Sequence, residues 1–231
     1  MAVFSIAPPT SEDEVLARVQ ALAGLPLGQI AAHLGRRMPG NLRRAKGWVG
    51  ELLELALGAT SGSQAAPDFP HLGVEMKTLP LRADGRPKES TYVCTVPLTG
   101  FDICWETSWV RRKLSRVLWV PVEADTGVPL SERRVGMALL WSPSAEEEAI
   151  LRADWEELME MVCLGQLESI TAHHGVYLQI RPKAANGRAL CEGIGTNGEP
   201  VLTLPRGFYL RSGFTTTLLG RYYATGSFSE R

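Results

Sequence analysis

Apolar residues recur at helical spacing near the start of the chain. They follow Ser11-Glu12-Asp13-Glu14, which has the sequence of a capping box. The residues on the apolar face are Val15, Leu16, Val19 and Leu22. This pattern predicts a helix that ends near Gly24, and shorter helices are predicted over residues 27–34 and 47–57, each closed by a glycine.

At residue 72 the spacing changes to the alternation that is typical of a β-strand. The predicted strand covers residues 72–79, and a turn over residues 83–87 leads to a predicted hairpin partner at residues 91–96. Further strands are predicted at 117–122, 135–141 and 177–180. Helices are predicted at 106–115, from Ser142-Pro143-Ser144 onward, at 167–173 and at 214–223. This order favours an α/β or α+β fold with a central mixed β-sheet flanked by helices. We expect a single domain over residues 1–231, with N-terminal and C-terminal lobes forming a cleft.

Composition places the chain among ordinary globular proteins. Its 231 residues are 45% hydrophobic and 21% charged, which is ample for a core. No apolar run approaches the roughly 20 residues that cross a bilayer, and the first residues lack the features of a signal peptide, so we expect no membrane partner. The four cysteines are scattered and form no Cys-x-x-Cys pair, which predicts reduced thiols and a cytoplasmic location.

Charge is segregated along the sequence. The net charge is −1, but residues 145–168 hold eight acidic residues and one basic residue. The rest of the chain therefore has 23 basic residues against 17 acidic ones. The bases cluster in Arg36, Arg37, Arg43, Arg44 and Lys46, in Arg111, Arg112, Lys113 and Arg116, in Arg181, Lys183 and Arg188, and in Arg206 and Arg211. Such segregation fits a basic surface for a polyanion, although each cluster alone is also typical of a solvated helix face.

The strongest candidate chemistry lies in Asp68 and in Glu75-Met76-Lys77. Alternation along a strand puts Glu75 and Lys77 on one face and Val74 and Met76 on the other. Two carboxylates suit Mg²⁺, which keeps bound waters and accepts phosphate oxygens. An acid followed by Glu-x-Lys is typical of metal-dependent nucleases, but Glu-x-Lys on a strand can equally be a solvated face with a cross-strand ion pair.

Three further residues are candidates for the same chemistry. Glu54 lies in a very apolar predicted helix, where a buried carboxylate is costly unless it is paired or binds a metal; an arginine partner or a position at the rim would also explain it. Lys113 belongs to a basic stretch and could stabilise charge at a phosphate, or could lie on a solvated helix face. Lys46 precedes the Glu54 helix and could lie along the same rim.

Residues near the C-terminus suggest base recognition. Arg181 follows a predicted strand, and residues 204–211 combine bases with aromatics in a predicted loop that could enter a DNA groove. The alternative is that Phe208 and Tyr209 anchor this loop in the core. Residues 193–198 match Gly-x-Gly-x-x-Gly but lack the strand and helix that a dinucleotide site needs, so we predict a glycine turn there.

Several blocks of sequence together resemble the MutH family of DNA mismatch repair endonucleases, from about Glu12 to Tyr223. The blocks are residues 46–50 through Glu54, Asp68 with residues 73–78, and residues 105–108, 117–122, 179–186 and 204–210. The resemblance implies a restriction-endonuclease-like fold. It also implies an enzyme that nicks the unmethylated strand of hemimethylated GATC sites in double-stranded DNA with Mg²⁺, as a monomer, and is activated by MutL after MutS finds a mismatch.

The resemblance also implies roles for individual residues. Asp68 and Glu75 would hold the metal, with the main-chain carbonyl of Met76 assisting, and Lys77 would position or activate the attacking water. Glu54 would complete the acidic site, and Lys113 would assist near the scissile phosphate. The positions that would face DNA are Lys46, Tyr92, Arg181 and Tyr209, of which Tyr209 is the candidate sensor of adenine N6 methylation.

Two other functions remain open on the sequence. A stand-alone restriction endonuclease of a related branch would cut both strands without MutL. A non-catalytic DNA-binding module would keep the fold but lose the chemistry, and the retained acids and lysine argue against it.

Overall fold

The computed structural model describes residues 6–40, 45, 47–61, 66–100, 103–183 and 188–226. The helices in these ranges are α1 (Glu12–Leu22), α2 (Leu27–His33), α3 (Trp48–Leu57), α4 (Trp109–Leu114), α5 (Ala145–Cys163) and α6 (Ser212–Gly226). The strands are β1 (Glu75–Leu81), β2 (Thr91–Thr95), β3 (Val117–Glu123), β4 (Leu139–Trp141), β5 (Leu178–Pro182), β6 (Cys191–Ile194), β7 (Pro200–Thr203) and β8 (Arg206–Leu210). None of these helices combines the length and the apolar character that crossing a bilayer requires.

The chain forms two compact units, each built from two stretches of sequence. The first unit contains residues 1–88 and 116–142, and the second contains residues 89–115 and 143–231. The expected arrangement of one domain with two lobes around a cleft stays a prediction.

The first unit is organised around the three-stranded mixed sheet β1-β3-β4. Strand β1 runs parallel to β3 with Glu75 opposite Val117, and β4 runs antiparallel to β3. Every residue of β3 except Glu123 is buried, as expected for a central strand that is covered on both faces. Leu53 and Leu57 of α3 pack in the same core, which brings the helix that carries Glu54 close to the sheet.

The ends of α1 and α3 are fixed by specific contacts. Ser11 caps α1 by accepting the backbone N–H of Glu14, but the Glu14 carboxylate binds the N–H and hydroxyl of Thr10, so the expected reciprocal half of the capping box is absent. Arg18 of α1 donates to the carbonyl of Leu57 at 2.9 Å. Gly58 then ends α3 with a φ of 80°.

The second unit is built on the antiparallel sheet β2-β8-β5, with β8 in the centre, and on the β6-β7 hairpin. Helix α5 starts with a complete capping box between Ser144 and Glu147. On the same helix the buried Asp154 accepts the backbone N–H groups of residues 176–178 at 2.6–2.8 Å, which fixes the start of β5.

The structure corrects several predicted elements. The predicted hairpin between residues 72–79 and 91–96 is wrong: β1 pairs with β3, and β2 pairs with β8. Strand β3, which is apolar and buried from Val117 to Val122, lies at the centre of its sheet and pairs with β1. The predicted loop at 204–211 is the central strand β8, whose Phe208 and Leu210 are buried.

Other boundaries differ for local reasons. The first strand begins at Glu75 because residues 71–73 form a turn. The helix predicted at 106–115 is divided at Ser108, which caps α4 by accepting the N–H of Arg111. The strand predicted at 135–141 is limited to residues 139–141, since Val135 makes only an isolated bridge. The helix predicted at 167–173 is a single 3-10 turn over Leu167–Ser169.

Candidate active site

A tight loop brings Asp68 back to the start of β1. The backbone N–H of Phe69 donates to the carbonyl of Val74 at 2.9 Å, and Val74 donates in return to Phe69. Gly73 has a φ of 67°, a conformation that favours glycine, and it closes the turn. The spacer between the two acids is therefore folded back on itself, and Asp68 lies beside the strand that carries Glu75.

The carboxylate of Asp68 is buried and held by two donors. Its Oδ2 accepts the backbone N–H of Met76 at 2.8 Å, and its Oδ1 accepts the hydroxyl of Ser61 at 3.4 Å. Only 5% of Asp68 is exposed, so these bonds compensate part of the cost of burying the charge. Sequence reasoning missed Ser61, because a serine in a small polar loop gives no signal of its partner.

Glu75 and Lys77 lie on the same face of β1, as the alternation predicts. The Nζ of Lys77 donates to Oε1 of Glu75 at 2.8 Å. Both side chains are largely buried, with 5% of Glu75 and 11% of Lys77 exposed. The ion pair lies within one strand and out of bulk water, so the interpretation as a solvated face with a cross-strand pair is wrong.

Glu54 on α3 belongs to the same electrostatic group. Burial, followed by the negative charges of Asp68, Glu75 and Glu51, raises the pKa of Glu54 to about 7, and the charge of Lys77 opposes this effect. Three carboxyl groups and one ammonium are thus concentrated around the start of β1. The cation that acts on Glu54 is Lys77. These interactions therefore do not support the alternative that an arginine neutralises Glu54.

The donor set of this cluster fits a hard divalent cation. The side-chain acceptors of the cluster are carboxylate oxygens. Burial is the largest cause of the raised pKa of Glu54, and the negative charges of Asp68 and Glu75, which a cation would offset, add to it. Within the described ranges no group of three or more His, Cys, Asp or Glu side chains is arranged so that it could hold a metal ion. That is compatible with Mg²⁺, which binds through one or two carboxylates and keeps water and phosphate in its other positions.

The remaining candidates for catalysis and for DNA contacts come from other parts of the sequence. Lys113 is partly buried in the last turn of α4 in the second unit, where a cation suits the helix dipole. Lys46 lies outside the described residues. Arg111, two residues before Lys113, forms an ion pair with Glu148 at 2.8 Å. The basic cluster of residues 111–116 is therefore partly neutralised.

Tyr92, Arg181 and Tyr209 come together on one face of the second unit's sheet. The rings of Tyr92 and Tyr209 are 5.4 Å apart in an edge-to-face arrangement, and Arg181 lies 5.7 Å from the Tyr209 ring. Lys183 approaches the Tyr92 ring at 3.1 Å. Burial and, after it, Tyr92 raise the pKa of the Tyr209 phenol, which therefore keeps its proton near neutral pH.

Arg206 and Arg211 do not join this surface. Arg206 forms an ion pair with Glu168 at 2.5 Å and only 11% of its side chain is exposed, while Arg211 donates to the carbonyls of Ala172 and His174. The prediction that residues 204–211 form a loop is wrong, because residues 206–210 are strand β8. Of this stretch, Gly207 and Tyr209 lie on the aromatic face.

Known proteins match this chain over almost its whole length. The family model described as DNA mismatch repair enzyme MutH matches residues 57–154. The DNA mismatch repair protein MutH of Escherichia coli strain K12 is 58% identical over 219 residues, which cover 94% of this chain and 96% of that protein. The protein of the same name from Yersinia enterocolitica serotype O:8 is 55% identical over 226 residues, which cover 96% and 99% of the two chains.

These matches agree with the architecture. A mixed sheet flanked by helices is the fold class that the sequence predicts, and the start of strand β1 in this sheet carries Glu75 and Lys77 with Asp68 beside them. The restriction-endonuclease-like fold is confirmed on this basis. At this identity and coverage, the chain belongs to the MutH family of DNA mismatch repair enzymes.

Proposed function

We propose that this protein is a methyl-directed mismatch repair endonuclease that nicks the unmethylated strand at hemimethylated GATC sites. The observation that carries the proposal is the buried group of Asp68, Glu75 and Lys77 at the start of β1, with Glu54 beside it. The names of the relatives refer to DNA mismatch repair, which supports DNA as the substrate.

The side chains of this group have distinct tasks in the proposed hydrolysis. Asp68 and Glu75, with the carbonyl of Met76, would hold Mg²⁺, which when bound supplies Lewis-acid stabilisation of phosphate charge and a more acidic water. Lys77, already held by Glu75 at 2.8 Å, orients the attacking water and balances charge that develops on the phosphate. Glu54, with a pKa of about 7, can exchange a proton with water at neutral pH.

The second unit would supply recognition. Arg181 and Tyr209 present a cation and a rigid aromatic ring on one sheet face, and Tyr92 lies beside them. The N6 group of adenine is exposed in the major groove, where a methyl group changes both the donor pattern and the shape. Lys46 and Lys113 would contact or neutralise the phosphate backbone.

We further propose that the protein acts in the cytoplasm as a monomer, that MutL activates it, and that MutS acts upstream. One active site cuts one strand, so a monomer suits a nick. The expected partners therefore include a duplex that is methylated on one strand and a protein activator.

A nicking assay tests the proposal directly. The substrates are duplexes with one GATC site in the unmethylated, hemimethylated or fully methylated state, and the control duplex has a scrambled site. With Mg²⁺ and MutL, we expect single nicks in the unmethylated strand, none in the fully methylated duplex, and loss of nicking when EDTA is added.

Other results would select another function. Double-strand cleavage of unmethylated GATC without MutL would favour a stand-alone restriction endonuclease. Specific binding without cleavage under every condition would favour a non-catalytic DNA-binding module.

A further inference from the structure

Gly207 lies at the centre of the aromatic sheet face. It belongs to the middle strand β8, opposite Thr95 on one side and Arg181 on the other. Because side chains alternate along a strand, Gly207 shares its face with Tyr209, while Phe208 points into the core. The two tyrosine rings therefore lie over the backbone of Gly207, with no side chain between them and the sheet.

A β-bulge in the neighbouring strand turns Tyr92 over Gly207. The register between β2 and β8 shifts between Tyr92 and Cys94, so Val93 and Cys94 are both buried and Tyr92 and Thr95 both face outward. The hydroxyl groups of Tyr92 and Thr95 are 3.0 Å apart, which holds the ring along the strand.

The space above Gly207 is already filled by the two rings. A Cβ added at Gly207 would lie 2.9 Å from Cε2 of Tyr92 and 3.1 Å from Cε2 of Tyr209. Both distances are shorter than ordinary carbon contacts of about 3.5–4.0 Å, so both rings would have to move. The backbone beneath them is hydrogen-bonded on both sides in the sheet, so the rings rather than the backbone would move.

We propose that Gly207 is a positioning residue for methylation specificity, because its missing side chain lets Tyr92 and Tyr209 settle close to the sheet and leaves room for one N6-methyl group above them. The inference rests on the proposed function and deepens it. Gly207 itself does not contact DNA; it sets the height of the rings that do.

The variant Gly207→Ala tests this. The raised rings should exclude the methyl group, so the ratio of kcat/KM on unmethylated to hemimethylated GATC should rise by about tenfold over the wild type. Cleavage of the unmethylated duplex should stay within about threefold, since a loss common to both substrates would indicate only a damaged fold. Gly220→Ala is the matched control, because nothing lies within 4 Å of the added Cβ there.

The variant Tyr92→Ala makes the opposite change. Tyr209 gains room, and the fully methylated duplex should become a substrate. In this background the added Cβ of Gly207→Ala no longer meets Tyr92 and still meets Tyr209, which has gained room to move aside, so its effect on the kcat/KM ratio should be smaller than the roughly tenfold rise in the wild-type background.

The outcomes separate the two proposals. A wild-type protein that ignores methylation would overturn the proposed function. A wild-type protein that discriminates, with an unchanged ratio in Gly207→Ala or full rejection of methylated DNA by Tyr92→Ala, would overturn the role of Gly207 alone. If Gly207→Ala does not fold, the Tyr92→Ala result decides.

Discussion

The carboxyl group of Glu54 carries a stability cost that depends on pH. In the folded chain its pKa is raised to about 7 from an ordinary value of 4.5, chiefly by burial and then by the charges of Asp68 and Glu75. Replacement by glutamine keeps the shape of the side chain and removes the ionisation. We therefore expect Glu54→Gln to stabilise the metal-free protein at alkaline pH.

The size of the effect follows from the two pKa values. A rise from 4.5 to about 7 corresponds to about 3 kcal/mol without screening. Glu54 is only partly buried, so solvent screening reduces the expected gain to about 1–2 kcal/mol.

The direction follows from proton binding. Glu54 holds its proton more tightly in the folded chain, so the folded state binds more protons between pH 4.5 and about 7 and loses stability as the pH rises through that window. Below it both states are protonated and the variant should match the wild type. Above about pH 7 the variant should show its full gain in the free energy of unfolding over the wild type.

Urea unfolding at several pH values in the presence of EDTA measures this difference. The exposed Glu132, which is not among the charges that act on Glu54, provides the control variant Glu132→Gln, for which we expect a change in the free energy of unfolding within about 0.5 kcal/mol at every pH. The gain in the free energy of unfolding from Glu54→Gln should grow between about pH 5 and about pH 8. A gain that stays constant over this range would refute the placement of Glu54 among the other carboxylates.

Three further changes test other contacts. Asp154→Asn should lower the free energy of unfolding by about 3 kcal/mol in urea, because a buried carboxylate loses backbone N–H partners; a cost no larger than that of the exposed Glu160→Gln would contradict this. Arg152→Ala should cost less than about 1 kcal/mol, and the cost should shrink in high salt, since its ion pairs are exposed; a larger, salt-independent cost would be inconsistent with them. Arg181→Ala should lower the salt slope of DNA binding, measured by fluorescence anisotropy, by about one, and an unchanged slope would remove Arg181 from the DNA-facing surface.

Local features of the fold could be predicted from the sequence. Helix α3 and the start of α5 follow from apolar spacing, from a closing glycine and from a capping box, which all act within a few residues. Strand pairing could not be predicted in the same way. The partner of β2 is β8, far along the chain, and that choice depends on which apolar surfaces bury each other rather than on any local turn.

In the candidate site, too, local contacts could be predicted from the sequence and contacts that depend on the fold could not. The shared face of Glu75 and Lys77 follows from strand alternation, and the ion pair between them confirms it. The contact of Asp68 with the N–H of Met76 depends on the fold of the loop between them, and Ser61 has no signature at all. The approach of Tyr92 to Tyr209 requires both the distant strand pairing and the bulge, neither of which leaves a pattern in the sequence.

If the group of Asp68, Glu75 and Lys77 at the start of β1 cuts DNA, then Asp68→Asn and Lys77→Met should lose nicking activity in an assay with Mg²⁺ and MutL. Asp84→Asn, an exposed acid in the turn after β1, is the control. We expect both site variants to fold, to bind hemimethylated GATC, and to nick it slower than the wild type by about a thousandfold, while Asp84→Asn keeps the wild-type rate. Nicking by folded Asp68→Asn or Lys77→Met at the wild-type rate would show that this group does not cut the DNA.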